Sequence, residues 1–310
     1  MSETESAWRV IVRMDERVRV LGAALAATDW PDRERQLGLA RAHIVAEHAR
    51  HWLQPYREHP CVTHLQALLV QDVPLSGLYA YGLSLAWDLH HQRQSTGLLL
   101  QPIPGLEGDE LAELLASFKV DAHLDKFWDV THVYWEQALS GAARVLADAR
   151  VSDFLALCFD ERRAPVFVPN LLYPGRLPLG IAAQGEAVCI CPPPQAVGES
   201  KPWDYDDDPE WTQTVAFREC SRATLRGLPW SQFVDAATID LLATAATVIF
   251  LRESDDLLGA RAFMIMEIKR HGLTSLPNAV EALDAYVKAR QLHGLHVMDG
   301  LHAALEKSVG

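Results

Sequence analysis

The stretch from Asp208 to Leu225 constrains this chain more than any other. Asp208 carries the short acceptor side chain that caps a helix start. Pro209 suits the first helical position, where an N–H would find no partner, and Glu210 places negative charge at the positive end of the helix dipole. No further Gly or Pro interrupts the run before Gly227-Leu228-Pro229, so a helix is predicted over 208–225. Just before it, residues 164–169, 179–183 and 186–191 are short, rich in β-branched or small apolar residues, and broken by Gly and Pro. These predict a small sheet for the helix to lie on.

Around this centre the pattern is helical. Residues 8–13 alternate like a short strand, and helices are predicted over 16–27, 33–53, 62–71, 75–90, 111–118 and 128–147. Asp29-Trp30-Pro31 reads as a turn, because the residue before a proline is pushed out of the helical region. The character changes at about Val151. Residues 195–207 read as an exposed loop, and later helices are predicted over 232–252, 255–270, 278–292 and 297–307, with Asp255 and Asn278 as caps. The expected fold class is α+β and helix-dominated. A mainly helical region (1–150) precedes the small sheet, central helix and C-terminal helices (151–310), as two regions or one continuous domain.

With 310 residues, 49% of them hydrophobic, the chain can bury a substantial core. Its net charge of −13 argues against non-specific nucleic-acid binding. Much of the acidity near the central helix (Asp204, Asp206, Asp207, Asp208, Glu210) reads as charge on a solvated loop beside a helix N-terminus. The first seven residues have no basic stretch leading into an apolar core, and no apolar run approaches membrane-spanning length. Five cysteines, an odd number, fit reduced thiols in a cytoplasm, with Cys189 and Cys191 on one face of a strand as small apolar residues. No signal peptide, membrane partner or nucleic-acid partner is expected.

Two groups of side chains could carry chemistry. The first is Arg218-Glu219-x-x-Arg222 on the central helix, with the spacing of His-Glu-x-x-His but arginine at both histidine positions. Arg222 stands three residues after Glu219 and can pair with it. Alternatively, two guanidinium groups one turn apart can hold a carboxylate or phosphate through forked hydrogen bonds. The second group is His43-x-x-x-Glu47-x-x-x-His51, whose spacing by four puts a two-histidine, one-carboxylate set along one helix face. A solvated helix face accounts for the same residues. His132, in an aromatic helix, reads as a packed imidazole; Gly82-Leu83-Ser84-Leu85-Ala86 lacks the strand-turn-helix of a nucleophile elbow. His293, His296 and His302 form no better set.

The order of several pieces resembles a known family. They are His59-Pro60-Cys61-Val62 and the helix through Leu85, Phe127-Trp128-x-x-Thr131-His132-x-x-Trp135, the strands ending at Cys191, the central helix, and Gly272-Leu273 with the helix through Tyr286. Together they resemble a bacterial family of unknown function whose better-kept members look like gluzincin zinc metallopeptidases. The resemblance implies zinc-ligand positions at Arg218 and Arg222, a general-base position at Glu219, and a third ligand, a glutamate, on a following helix. In 232–252 the interior from Leu241 to Phe250 has no carboxylate; Asp235 and Asp240 precede it and Glu253 follows. No cofactor is therefore expected. The resemblance implies a catalytically inactive peptidase-like protein that binds a peptide, an anionic group or a protein partner in the former cleft. The alternatives are an active hydrolase, with metal relocated to His43, Glu47 and His51, and a structural partner in a larger assembly.

Overall fold

Three predicted strands pair into one sheet, and the central helix lies on it. The structure is a computed structural model that describes residues 9–36, 41–87, 93–95, 110–148, 150–159, 163–172, 177–196, 201–228, 231, 234–254 and 256–293. Its first half runs β1 (Ile11–Val12), α1 (Glu16–Ala27), α2 (Trp30–Gln36), α3 (Ile44–Leu53), a 3-10 turn (Gln54–Tyr56), α4 (Pro60–Val70), α5 (Leu75–Ser84), β2 (Leu85–Trp87), β3 (Arg93–Ser95), α6 (Glu110–Asp121) and α7 (Leu124–Val145). The second half runs α8 (Arg150–Phe159), β4 (Ala164–Pro169), β5 (Leu179–Ala183), β6 (Glu186–Cys191), α9 (Pro209–Gly227), α10 (Ala236–Glu253), α11 (Leu257–His271) and α12 (Leu276–His293). The fold is α+β and helix-dominated.

The four-stranded sheet has the order β1-β4-β6-β5. β4 is parallel to both β1 and β6, with Val166 opposite Ile11 and Val188, while β5 is antiparallel to β6. β4 and β6 are buried along nearly their whole length, as continuous apolar strands in the middle of a sheet should be. Gln184 and Gly185 both have positive φ (47° and 82°), the twist that a two-residue hairpin loop between β5 and β6 needs. β1, from before residue 150, pairs with β4, from after it, and the cluster of buried side chains draws on both parts, from Val10 to Val287.

α9 begins as its sequence predicts: Asp208 Oδ1 accepts the Trp211 N–H at 3.1 Å with Pro209 in the first turn. It lies across β5 and β6 and against α10. Contact with β5 is close because Gly180 has no side chain. A Cβ there would meet the Glu219 carbonyl oxygen at 2.2 Å. On the other flank Phe217 stacks on Phe250 of α10 at 4.4 Å, and Phe154 of α8 meets both rings edge-on. α10 is packed by α9, α11 and α12, so Leu241 to Phe250 are buried on every side. Its apolar middle is core.

Several local expectations are corrected. α8 forms where β character was expected to begin; Val151, Phe154, Leu155, Cys158 and Phe159 are buried at helical spacing, a signal overlooked beside the strands that follow. The helix predicted over 33–53 is broken: α2 already starts at Trp30, with Pro31 in its first turn, and α3 starts only after His43. α5 stops at Ser84, and Leu85, with ψ of 130°, begins β2, which pairs with β3. Tyr205, expected on an exposed loop, is fully buried, donates to the Cys191 carbonyl at 2.8 Å and meets Phe167 edge-on. Asn278 lies inside α12, and Asp256 caps α11. Asp255, the helix predicted over 297–307, His296 and His302 fall outside the described residues. Among the described residues no helix is long and apolar enough to cross a membrane.

Candidate functional site

Burial of one face of α9 against sheet and helices forces its charged residues to find partners. Glu219 is only 1% exposed, and a carboxylate held there without a counter-charge would be strongly destabilising. Arg222, three residues on, supplies that charge: its Nη1 donates to Glu219 Oε2, and its Nε donates to Asp240 Oδ1 of α10 at 2.7 Å. Arg226, one turn further, donates to the Gly180 carbonyl at 3.2 Å and stands 3.9 Å from the same Asp240 oxygen. Arg218 turns to α11, where Nη1 and Nη2 reach Glu267 Oε1 and Oε2 at 3.3 and 2.9 Å. Its Cζ lies 5.7 Å from the Phe263 ring centre. Three arginines thus face three carboxylates.

The electrostatics follow the burial. Loss of water pushes the Glu219 carboxyl above its ordinary range, and Arg222, Arg218 and Arg226 oppose that shift. Burial also works against the charge of Arg222, but Glu219 and Asp240 beside it outweigh burial and raise its pKa. Asp240 is the more solvated end of this chain of contacts. The sequence-predicted residues Arg218, Glu219 and Arg222 are therefore together, each already engaged within the protein.

These residues do not fit a zinc ion. Guanidinium has no lone pair to give a metal, and the nearby carboxylates accept hydrogen bonds from the arginines instead. The interior of α10 from Leu241 to Phe250 carries no carboxylate, as its sequence predicts, and the acids that meet the arginines come from either side of it. Asp240, in the second turn of α10 just before that interior, takes the Arg222 contact, and Glu267 comes from α11, one helix later than the position considered. Glu267 was missed because a single acid among Phe263, Met264, Ile265, Met266 and Ile268 looks like an exposed residue, whereas it is one of two buried positions on α11.

His43, Glu47 and His51 do not converge. The spacing argument assumed helix through His43, but its backbone is extended (ψ 147°) and it caps α3, with Nδ1 accepting the Val45 N–H at 3.2 Å. The ring turns inward, edge-on to Tyr134 and Trp203, and burial together with His48 pushes its pKa down to about 4. His51 stays exposed, its Nδ1 donating to the Glu47 carbonyl at 3.0 Å. Glu47 and His51 instead border a cavity of about 450 Å³ with Arg50 and Arg57. Among the described residues no group of three or more His, Cys, Asp or Glu is placed to hold a metal ion. His132, expected as a packed imidazole, is instead exposed on the outer side of α7, its Nδ1 donating to the Asp129 carbonyl at 2.7 Å, and Ser84 donates to the Tyr81 carbonyl.

Comparison with protein-family models, curated proteins and solved structures finds no match for this chain.

Proposed function

We propose that this is a non-catalytic binding protein whose α9 site is a set of structural ion pairs standing where a metallopeptidase would hold zinc. The observation that carries the reading is the burial of Glu219 behind Arg222. A general base must touch a water or substrate proton, and this carboxylate is enclosed and already hydrogen-bonded. Carboxylates from two following helices, Asp240 and Glu267, meet the Arg-Glu-x-x-Arg motif, as a downstream acidic ligand would meet a zinc helix. Neutralisation of Arg218 and Arg222 by these acids argues against the version in which they hold an anionic ligand.

The test is to replace both arginines, Arg218→His and Arg222→His, and measure bound zinc by elemental analysis beside the wild type. Zinc at about one ion per chain in the folded double variant, and none in the wild type, supports the reading. A folded double variant without zinc removes the metallopeptidase relationship. Peptide hydrolysis by the wild type that Glu219→Gln abolishes would remove the non-catalytic assignment.

A second reading, a structural partner in a larger assembly, is favoured by the outward side of α11. There Leu257, Leu258, Ile265 and Met266 are all exposed, Leu258 at 83%. Sedimentation of the wild type and Leu258→Glu over a range of concentrations tests it.

A further inference from the structure

The cavity between α1 and α3 has features of a binding site. Its volume of about 450 Å³ suits a small molecule. Ala26, Ala27 and Leu53, all buried, supply small apolar lining from the end of α1 and the last turn of α3. Arg50, Arg57 and Glu47 supply charge at its edge.

The two arginines are held side by side by Asp32 of α2. Its Oδ1 accepts from Arg50 Nη2 at 2.7 Å, and its Oδ2 lies 3.8 Å from Arg57 Nη2. Arg50 uses its fork only in part: Nη1, withdrawn from solvent, finds no hydrogen-bond partner among the described residues, while the side chain as a whole is 23% exposed. An unmet donor on a charged group is expensive, and an acceptor from a ligand would relieve it once the guanidinium rotates to bring that nitrogen to the cavity. Arg57, about half exposed, is loosely tied and free to join it.

Charge balance narrows the ligand. Arg50 and Arg57 are matched by Asp32 and Glu47, so the site as a whole is close to neutral. A phosphate dianion would meet Glu47 and Asp32 at short range, and a simple cation would meet two guanidinium groups. A molecule with one charge of each sign meets neither penalty. Its carboxylate would lie on Arg50 and Arg57. Its ammonium would lie toward Glu47 and the C-terminal end of α1, where the helix dipole is negative.

We propose that this cavity binds a small zwitterion of the amino-acid type, with its carboxylate held by Arg50 and Arg57, its amine by Glu47, and a short aliphatic group against Ala26, Ala27 and Leu53. The site belongs to α1 and α3 and stands whether or not α9 derives from a metal site; it gives a ligand to the binding role proposed above.

The test is calorimetric titration of the full chain at low ionic strength with L-leucine, sodium acetate, methylammonium chloride and inorganic phosphate. L-leucine should bind at least about tenfold more tightly than the other three. Folded Arg50→Met should lose at least about tenfold in affinity for L-leucine, the scale of a hydrogen bond to a charged group. Glu47→Gln changes an exposed side chain and should narrow the preference for L-leucine over acetate. If Arg50→Met fails to fold, the Glu47→Gln comparison decides. Four outcomes would overturn the proposal: no binding of L-leucine, acetate or phosphate binding as tightly as L-leucine, undiminished binding by folded Arg50→Met, or an unchanged preference in Glu47→Gln.

Discussion

Arg218 of α9 reaches across to α11 and sets its two terminal nitrogens on the two carboxylate oxygens of Glu267, at 3.3 and 2.9 Å. Arg222, on the same helix, does the corresponding work toward α10 through Asp240. Two side chains one turn apart therefore tie the central helix to α10 and α11, the next two helices in the chain. Forked, charge-assisted contacts of this kind fix orientation as well as adding energy.

Breaking the α11 tie from one side should be costly, because Glu267 is buried. Arg218→Met is expected to lower unfolding free energy by about 3 kcal/mol, and the double variant Arg218→Met/Glu267→Met by less than the sum of the two singles. Urea denaturation of the four proteins measures the coupling, expected at about 1–3 kcal/mol. Additive losses would show that the two side chains act independently.

Removal of Arg222 leaves Glu219 enclosed without its nearest counter-charge. Arg222→Met should cost about 3–5 kcal/mol near neutral pH. The Glu219 carboxyl is already raised by burial, so its contribution is fullest below the ordinary glutamate value and is lost as pH rises through its folded value. Without Arg222 that folded value moves higher still. The deficit of the variant relative to wild type should therefore be smaller at pH 5 than at pH 8, measured by denaturation at both. An equal deficit at both pH values would contradict this account of Glu219.

Gly180 tests the seat of α9 on the sheet. A Cβ at this position meets backbone atoms of Glu219 at 2.2 and 3.0 Å and Cβ of Arg222 at 3.2 Å, so the helix must move. Gly180→Ala should cost about 1–3 kcal/mol and lower the melting temperature. Gly185, where an added Cβ meets nothing within 4 Å, carries only the backbone strain of its φ of 82°, and Gly185→Ala should cost about 1 kcal/mol. A loss no greater at Gly180 than at Gly185 would mean that α9 is not held this close.

His43 should make the fold acid-sensitive. Its folded pKa of about 4 lies below the ordinary histidine value, so its stabilisation is present above about pH 6.5 and is lost as pH falls toward 4. The loss attributable to this residue is at most about 3 kcal/mol. His43→Asn keeps an N-cap acceptor and removes the titrating group. Stability of the variant should fall less steeply than wild type between pH 6.5 and 4; parallel curves would remove His43 as the cause.

Much of the architecture was legible in the residues because local rules specify it. The cap Asp208 and Pro209 marked the start of α9, and short apolar runs bounded by Gly and Pro marked β4, β5 and β6. Side-chain pattern and turn chemistry act over a few residues, so a sequence displays them directly. The pairing of Arg222 with Glu219 was likewise within reach, since both lie on one helix three residues apart.

The partners of that pair were not legible. Whether Arg218 and Arg222 stay open to a ligand depends on acids 49 and 18 residues away, Glu267 and Asp240, and on the packing that brings α10 and α11 to α9. His43 shows the same limit at short range: its spacing to Glu47 and His51 suggested one face, but a single extended residue at the start of α3 turned it inward. Spacing along the chain sets which side chains can share an element. Which charges neutralise one another is a matter of burial, because in the folded interior an unpaired ion is too unfavourable to remain and contacts far apart in sequence must supply its counter-charge.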